Sequence, residues 1–578
     1  MNDVTKYLRD RLYAREWGIN ASNAHTEIRT NHLGYLPNAP KTAVLNAEGT
    51  FTFRLSNCAT GEVLDEQTIT AEKRDFGWTA QYHFDHVTVP GAYYIQAGIY
   101  RTFSFRIWDE ALDEAIYWPV HSFSVQRCGP STTGYHSPCH CDDGIRKDNG
   151  QYQDLTGGWH DSCDLRKWVY SGLDGMLGLS MVYELQGDVI RPGGILEELQ
   201  WGNRYFLNLQ EPDGYIMGHC GGDVFFHSDN NRWTDNIPGT EDDRIIETDP
   251  CPMIGQFRFV FCQAMAARVA RKHGEEAYAQ RCLDAADRCL IWALAQLNDD
   301  TDVEVLADAM TAGLEMYRTT GNEAYLETAS RMADLVLALQ VHDYEPVHGF
   351  FLTSKTDPEP YRPFCSRREP VGIALSLMVE HASHHPNAHR WKDALREWAM
   401  DYILPMSRKN GYGMVPQGLF SWDAGGGRRC GDKYYYRNFM SHYNPRQNLM
   451  SIDPTVWIGI NGYISAVGVA LAKASQLLQE PELLQVAQRQ LDWIIGSNPF
   501  DDSHMDLVGR NNHIPFGPPA WFTPFPPRIR GAVCNGIVGT AEDEPDHRDG
   551  FFAMCEYWTP MTAHTMWLAA LLKSIQLP

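Results

Sequence analysis

Gly157-Gly158-Trp159-His160-Asp161-Ser162-Cys163-Asp164 runs directly into an apolar segment, Leu165 to Leu179. The glycine pair lets the backbone bend freely, and the apolar run has the length of a helix, so the two aspartates sit at a helix mouth. There the positive end of the helix dipole and its unpaired N–H groups favour ionised carboxylates. Read alone, Asp161 is an N-cap and Asp164 a first-turn acid; read together, two carboxylates three residues apart can also activate a water.

Outward from this segment the chain divides. Upstream, between Ile28 and Ile107, short alternating runs such as Thr42-Ala43-Val44-Leu45, Phe51-Thr52-Phe53-Arg54-Leu55 and Tyr93-Tyr94-Ile95-Gln96-Ala97 are separated by Gly, Pro and Asn. That period of two predicts a small β-sandwich over residues 26–108, preceded by an extension over 1–25. Downstream, the period becomes 3.6 in the stretches 168–185, 194–209, 253–273, 275–297, 323–340, 391–406, 457–478, 481–495 and 555–575. A large all-helical domain over 109–578 follows, with its long connections at 213–252, 341–368, 409–453 and 497–555 as the places for function. No repeat of fixed period recurs, which leaves a closed helical barrel rather than a solenoid.

The net charge of −24, from 49 basic and 73 acidic residues, argues against a phosphate backbone or an anionic membrane as partner. The 17 Trp and 27 Tyr supply flat faces that can stack on sugar rings. No apolar run approaches the roughly 18 residues that span a bilayer, and residues 1–24 carry charges throughout, so the chain as given reads as cytoplasmic, or as secreted if a leader has been removed. Its 14 Cys are scattered through a long chain, which fits thiols or metal ligands better than a disulfide framework. Among them, Cys128, Cys139 and His140, with His160 beyond, form a Cys-x10-Cys-His-x19-His set whose two thiolates and two imidazoles suit tetrahedral zinc. Cys141 competes for a place in it. The acidic runs Glu241-Asp242-Asp243 and Asp299-Asp300-Thr301-Asp302 offer hard oxygens to calcium. Nothing in the chain calls for an organic cofactor, and His-Glu-x-x-His is absent.

The segment 157–164 resembles the Gly-Gly-Trp-(Tyr/His)-Asp-Ala-Gly-Asp motif of glycoside hydrolase family 9. The resemblance extends to Asn31-His32-Leu33-Gly34-Tyr35-Leu36-Pro37, similar to the opening of the family's immunoglobulin-like module, to the turn Gly496-Ser497-Asn498-Pro499, and to Cys555-Glu556-Tyr557-Trp558. It implies an immunoglobulin-like sandwich followed by an (α/α)6 barrel, and an inverting hydrolase acting on β-1,4-linked glucan chains. It further implies that Glu556 protonates the glycosidic oxygen, that Asp164 deprotonates the attacking water and that Asp161 helps hold that water. Such an acid and base must stand roughly 6.5–9.5 Å apart to admit the water. Residues 392 positions apart meet that need only through tertiary folding. Phe551, Phe552, Tyr557 and Trp558 supply apolar neighbours that would keep Glu556 protonated. The resemblance also implies that Cys128, Cys139, His140 and His160 hold a structural zinc that pins the loop of the catalytic base, with no open position for water.

Two features depart from the family pattern. Where family members carry His-His-Arg, this chain has Arg510-Asn511-Asn512-His513-Ile514-Pro515-Phe516 and then a proline-rich segment. Here His513, Trp521 and Arg528, with Trp159 of the first motif, stand as candidates to bind sugar, and Trp521 and Phe522 either stack on a sugar or close one end of the cleft. Cys163 replaces the motif's second glycine. The alternatives are an exo-β-D-glucosaminidase acting on chitosan oligosaccharides, which the acidic charge would suit, and a carbohydrate-binding protein without hydrolysis.

Overall fold

The computed structural model describes residues 28–132, 136–161, 165–189, 194–221, 233–363, 369–421, 427–439, 458–516, 528–540 and 542–575. The extension expected over 1–25 lies outside them. Strands β1 (Ile28–Arg29), β2 (Thr42–Leu45), β3 (Thr50–Asn57), β4 (Val63–Thr70), β5 (Glu72–Arg74), β6 (Gly77–His83), β7 (Gly91–Ala97), β8 (Tyr100–Arg101) and β9 (Phe105–Ile107) form two sheets, ordered β1-β2-β6-β5 and β4-β3-β7-β8, with β9 also on β7. Their inward residues alternate as the period of two requires, and Phe53, Tyr82, Phe84, Tyr93 and Phe105 fill the space between. Phe53 stacks on Tyr82 at 5.2 Å between ring centroids.

The remainder is mainly helical. Its long helices are α1 (Asp113–Val125), α2 (Val169–Gln186), α3 (Gly194–Asn208), α4 (Met253–Lys272), α5 (Glu276–Gln296), α6 (Val303–Thr320), α7 (Glu323–Leu337), α8 (Pro370–His381), α9 (Ala388–Glu397), α10 (Asn461–Leu478), α11 (Pro481–Ile494) and α12 (Thr559–Ser574). Among the described residues α2 packs on α4, α4 on α6, α6 on α8, α8 on α10, α10 on α12 and α12 back on α2, so the contacts close on themselves. The odd-numbered helices each lie against an even-numbered one. Sequence explains the division. In α5 the buried positions Ala279, Cys282, Leu283, Ala286, Cys289, Leu290 and Ala293 make one stripe, as an outer helix needs. In α8 and α12 every residue from Pro370 to Val379 and from Thr559 to Leu572 is buried. Gly178 of α2 permits the closest approach, since a Cβ there would lie 2.8 Å from the Ala563 carbonyl oxygen of α12.

The sequence pattern missed α1, α6 and α8. The helix α8 is buried all round and so shows no apolar stripe, and α1 carries Pro119 inside it. The stretch 457–478 begins its helix only at Asn461, and 555–575 only at Thr559. The connections at 213–252 and 409–453 also hold strands. Met217–Cys220 (β12) and Ile245–Pro250 (β13) join Ile145–Arg146 (β10) and Lys167–Trp168 (β11) in one mixed sheet, and Gly418–Phe420, Arg428–Cys430 and Tyr434–Arg437 form another. No helix among the described residues is long and apolar enough to cross a membrane.

The sandwich is fixed to the helical part by polar and aromatic contacts. Asn31 donates to Asp492 at 2.9 Å, His32 meets Asp501 at 3.1 Å, and Phe76 stacks on Phe439 at 5.5 Å.

Candidate active site and metal groups

The 157–161 segment is held from both sides. Gly157 and Gly158 take φ of 98° and 78°, values open to glycine without strain. The Cys128 N–H donates to the Gly158 carbonyl and the His160 N–H to the Gln126 carbonyl, both at 2.9 Å. The Asp161 N–H donates to the Arg166 carbonyl at 3.0 Å. Asp161 is buried. Asp164 lies outside the described residues.

Beneath this loop is a buried charge cluster that no sequence pattern announces. Asp143 receives Arg244 Nε and Nη2 at 2.7 and 2.6 Å and lies 2.7 Å from Lys167 Nζ, all three side chains being essentially without solvent exposure. Burial alone would raise the Asp143 carboxyl, but Arg244 and Lys167 hold it down at about 2. The same cations fix backbone: Arg244 Nη1 donates to the Leu165 carbonyl at 2.6 Å, and Lys167 Nζ to the Leu155 and Gly157 carbonyls at 2.6 and 3.2 Å. They fix the backbone on either side of Asp161, at Leu155 and Gly157 and at Leu165.

Glu556 enters from the other end of the chain, between a single helical turn, Phe552–Cys555, and the start of α12. It is 8% exposed, and its Oε2 accepts the Trp558 indole N–H at 2.6 Å. The Thr559 hydroxyl donates to the Asp161 carbonyl at 3.4 Å, so the N-terminus of α12 rests on the aspartate loop. The structure thus brings together the chain segments of Asp161 and Glu556.

The sugar-binding candidates fall differently. Trp159 is 3% exposed; its indole N–H donates to Glu198 Oε1 at 2.7 Å and its ring lies edge-on to Phe123 at 5.2 Å, so it props the loop from behind. His513 is gripped between Asp502, 2.5 Å from its Nε2, and Asp549, 2.8 Å from its Nδ1. Burial would lower its pKa, but those carboxylates push it up to about 9, so it is a cation at neutral pH. Arg528 pairs with Asp506 at 2.5 Å and stays partly exposed. Trp521 lies outside the described residues.

Cys128, Cys139, His140 and His160 are all buried, and their ligand atoms lie within 4.8 Å of one another. Cys128 Sγ is 3.5 Å from His140 Nδ1, and Cys139 Sγ is 3.6 Å from His160 Nε2. Donors held about 2.0–2.3 Å from one tetrahedral ion stand roughly 3.3–3.8 Å apart, so this set fits a metal as it stands. Cys141 is not part of the group; its thiol turns toward the Cys139 carbonyl, 3.9 Å away. Of the acidic runs, Asp242 and Asp243 gather with Asp142, a group that could hold a hard cation. Asp300 instead accepts Ser354 Oγ and the Thr356 N–H at 2.8 and 2.9 Å and joins two loops. Asp502 with His504 and His547, which no local motif marks, also offers metal-ligand atoms within 4.8 Å of one another.

Comparison with known proteins gives two family matches. The model of glycosyl hydrolase family 9 matches residues 108–518, and that of the cellulase N-terminal ig-like domain matches residues 23–101. A cellodextrinase of Butyrivibrio fibrisolvens is 27% identical over 223 residues, covering 33% of this chain and 39% of the relative's length. A metagenome-derived glycoside hydrolase family 9 endoglucanase superposes with a TM-score of 0.69 at 21% identity, over 95% of this chain and 99% of that one. A Zn-binding triple mutant of the family 9 endoglucanase J30 superposes at 0.67 with 19% identity, over 93% and 99%.

Proposed function

The chain belongs to glycosyl hydrolase family 9, and on that premise we propose that it hydrolyses β-1,4-glucosidic bonds in cellulose, soluble β-glucans or cello-oligosaccharides with inversion at the anomeric carbon. The observation that carries the reading is the seating of α12 on the Asp161 loop, which draws the Glu556 segment and the aspartate segment to one place. Glu556 gives its proton to the glycosidic oxygen as the bond to the anomeric carbon breaks. Asp164 takes a proton from the water that attacks that carbon from the opposite face, and Asp161 holds the water. The relative named a cellodextrinase and the endoglucanases among the structural neighbours support a glucan as substrate.

The closed ring of even-numbered helices, each with an odd-numbered helix against it, supports an (α/α)6 barrel. The division into an immunoglobulin-like module over 26–108 and a catalytic domain over 109–578 is supported by the two family matches. The four donors Cys128, Cys139, His140 and His160 suit zinc, whose two thiolate bonds would tie the loop to residues 128–140; four protein ligands leave zinc no site for water, so its part is structural. Asp142, Asp242 and Asp243 present only hard oxygens and suit calcium.

Incubation with cellohexaose and carboxymethylcellulose, with products separated over time and the anomer followed by proton NMR, tests the function. The expected result is shorter cello-oligosaccharides released first as the α-anomer. Failure to cleave either glucan, or release of the β-anomer, would overturn the reading.

A further inference from the structure

A second cluster of metal-ligand side chains stands beside Cys555, the residue before Glu556, and the hydrolysis described above gives it no role. Asp502 and His504 lie on the loop that follows α11, and His547 follows the short strand Pro545–Asp546. All three are buried, and one ligand atom from each lies within 4.8 Å of the others. We propose that Asp502, His504 and His547 form a second binding site for a divalent transition metal of the zinc class.

The geometry favours an ion over a simple hydrogen-bonded network. Asp502 Oδ1 and His504 Nε2 face each other at 3.2 Å, yet neither atom makes a hydrogen bond among the described residues, and both are shut off from solvent. An unaligned donor and acceptor at that separation are what two ligands of one ion present. The edge of a tetrahedral site with nitrogen and oxygen donors at about 2.0–2.1 Å is roughly 3.3–3.5 Å. Left without an ion or a water, each atom would bear the desolvation cost of an unmade hydrogen bond.

The remaining atoms of these side chains behave as outer supports. His504 Nδ1 is fixed by the Asn461 carboxamide at 3.1 Å, which aims Nε2 into the cluster. Asp502 Oδ2 takes His513 Nε2 at 2.5 Å, and His547, the third ligand, stands with its Nδ1 2.8 Å from that oxygen, on the side of the cluster. His547 Nε2 points toward Cys555 Sγ, 3.9 Å away, a thiol that also donates to the Arg548 carbonyl at 3.0 Å. The backbone is equally constrained: the Asp502 carbonyl accepts Asn498 Nδ2 at 2.7 Å, and the His504 N–H donates to the Ile494 carbonyl at 2.9 Å. A small cavity opens against the cluster between His504, His513 and Cys555. One imidazole pair with one carboxylate is a borderline donor set, matched to zinc, cobalt or iron(II) and poorly to calcium or magnesium.

The site would do for the acid what the Cys128 group does for the base. It joins the loop after α11 to the segment that leads into Cys555 and Glu556, and so fixes the entry of that segment against the helical wall.

Metal content per chain tests this directly and needs no activity. Protein dialysed against zinc and then against metal-free buffer is analysed by inductively coupled plasma mass spectrometry, for wild type, His504→Ala, His547→Gln and Cys128→Ser. We expect about two zinc ions in wild type and about one in each variant, with the circular dichroism of the two histidine variants unchanged. Cobalt(II) separates the sites. The Cys128 group gives thiolate-to-metal absorption, whereas the site retained in Cys128→Ser gives only weak d–d bands, or a single thiolate band if Cys555 joins. One ion in wild type, unchanged in both histidine variants and lost in Cys128→Ser, would overturn the proposal, as would no cobalt bands in Cys128→Ser that keeps wild-type circular dichroism.

Discussion

Thr559 and Asp161 stand 398 positions apart, and the hydroxyl of the first donates to the carbonyl of the second at 3.4 Å. Thr559 is the first residue of α12, and Glu556 lies three residues before it. The contact therefore ties the segment that carries Glu556 to the loop that carries Asp161.

If Glu556 is the acid, Glu556→Gln removes the proton donor but leaves the water and its base. Hydrolysis of cellohexaose, whose leaving group needs protonation, should fall about 10²–10⁴-fold, while an aryl cellobioside with an acidic phenol should keep most of its rate. Asp164→Asn should instead lose both substrates. Equal losses in Glu556→Gln with both leaving groups would remove the acid from Glu556.

The Trp558 indole N–H donates to Glu556 Oε2 at 2.6 Å and so helps to orient the carboxyl proposed as the acid. Trp558→Phe keeps the ring and deletes the donor. We expect kcat on cellohexaose to drop about tenfold with KM within twofold of wild type, because a misoriented proton donor affects the transition state more than binding. A change confined to KM would place Trp558 on the sugar instead.

The buried Asp143, Arg244 and Lys167 cluster gives a stability prediction. Asp143→Ala leaves two cations without their carboxylate where water does not reach, and should cost about 3–5 kcal/mol in urea unfolding. Because Arg244 and Lys167 also hold the carbonyls of Leu165, Leu155 and Gly157, the same variant should lose activity before it unfolds. Unchanged unfolding would show that the two cations are accommodated without Asp143.

How much of this was legible in the sequence depends on how far apart the partners lie. The Gly157–Asp164 motif is local and carries the family resemblance, and Cys128, Cys139, His140 and His160 lie close together in the chain, though their irregular spacing marks a metal set only through that resemblance. Trp159 reads as a sugar-stacking residue because an indole beside a catalytic motif suggests it, but its N–H is spent on Glu198, 39 residues away, which no local pattern reveals. The helix α8 was missed because an inner helix, apolar on every side, has no period to detect. His504 and His547 are 43 positions apart, and only the fold aligns them.

Glu369 supplies the last prediction, a pH dependence whose sign follows from burial. It caps α8, its Oε1 accepting the Gly372 N–H at 3.2 Å, and burial raises its carboxyl from 4.5 to about 7. The folded state therefore binds this proton more tightly than the unfolded chain. Its contribution to stability is complete below the unfolded value of 4.5 and is lost as pH rises through about 7. Wild type should melt at a lower temperature at pH 8 than at pH 5, and Glu369→Gln, a neutral isostere that keeps the cap, should flatten that slope. A tenfold difference in proton affinity between the folded and unfolded chain corresponds to about 1.4 kcal/mol, so the variant should gain on the order of 2–3 kcal/mol over wild type at pH 8 and little at pH 5. Asp492, raised to about 6 by burial, acts in the same direction, so some slope remains. An identical melting profile in both proteins from pH 5 to pH 8 would mean that Glu369 is ionised throughout and that its charge is borne by the Gly372 N–H and the helix terminus.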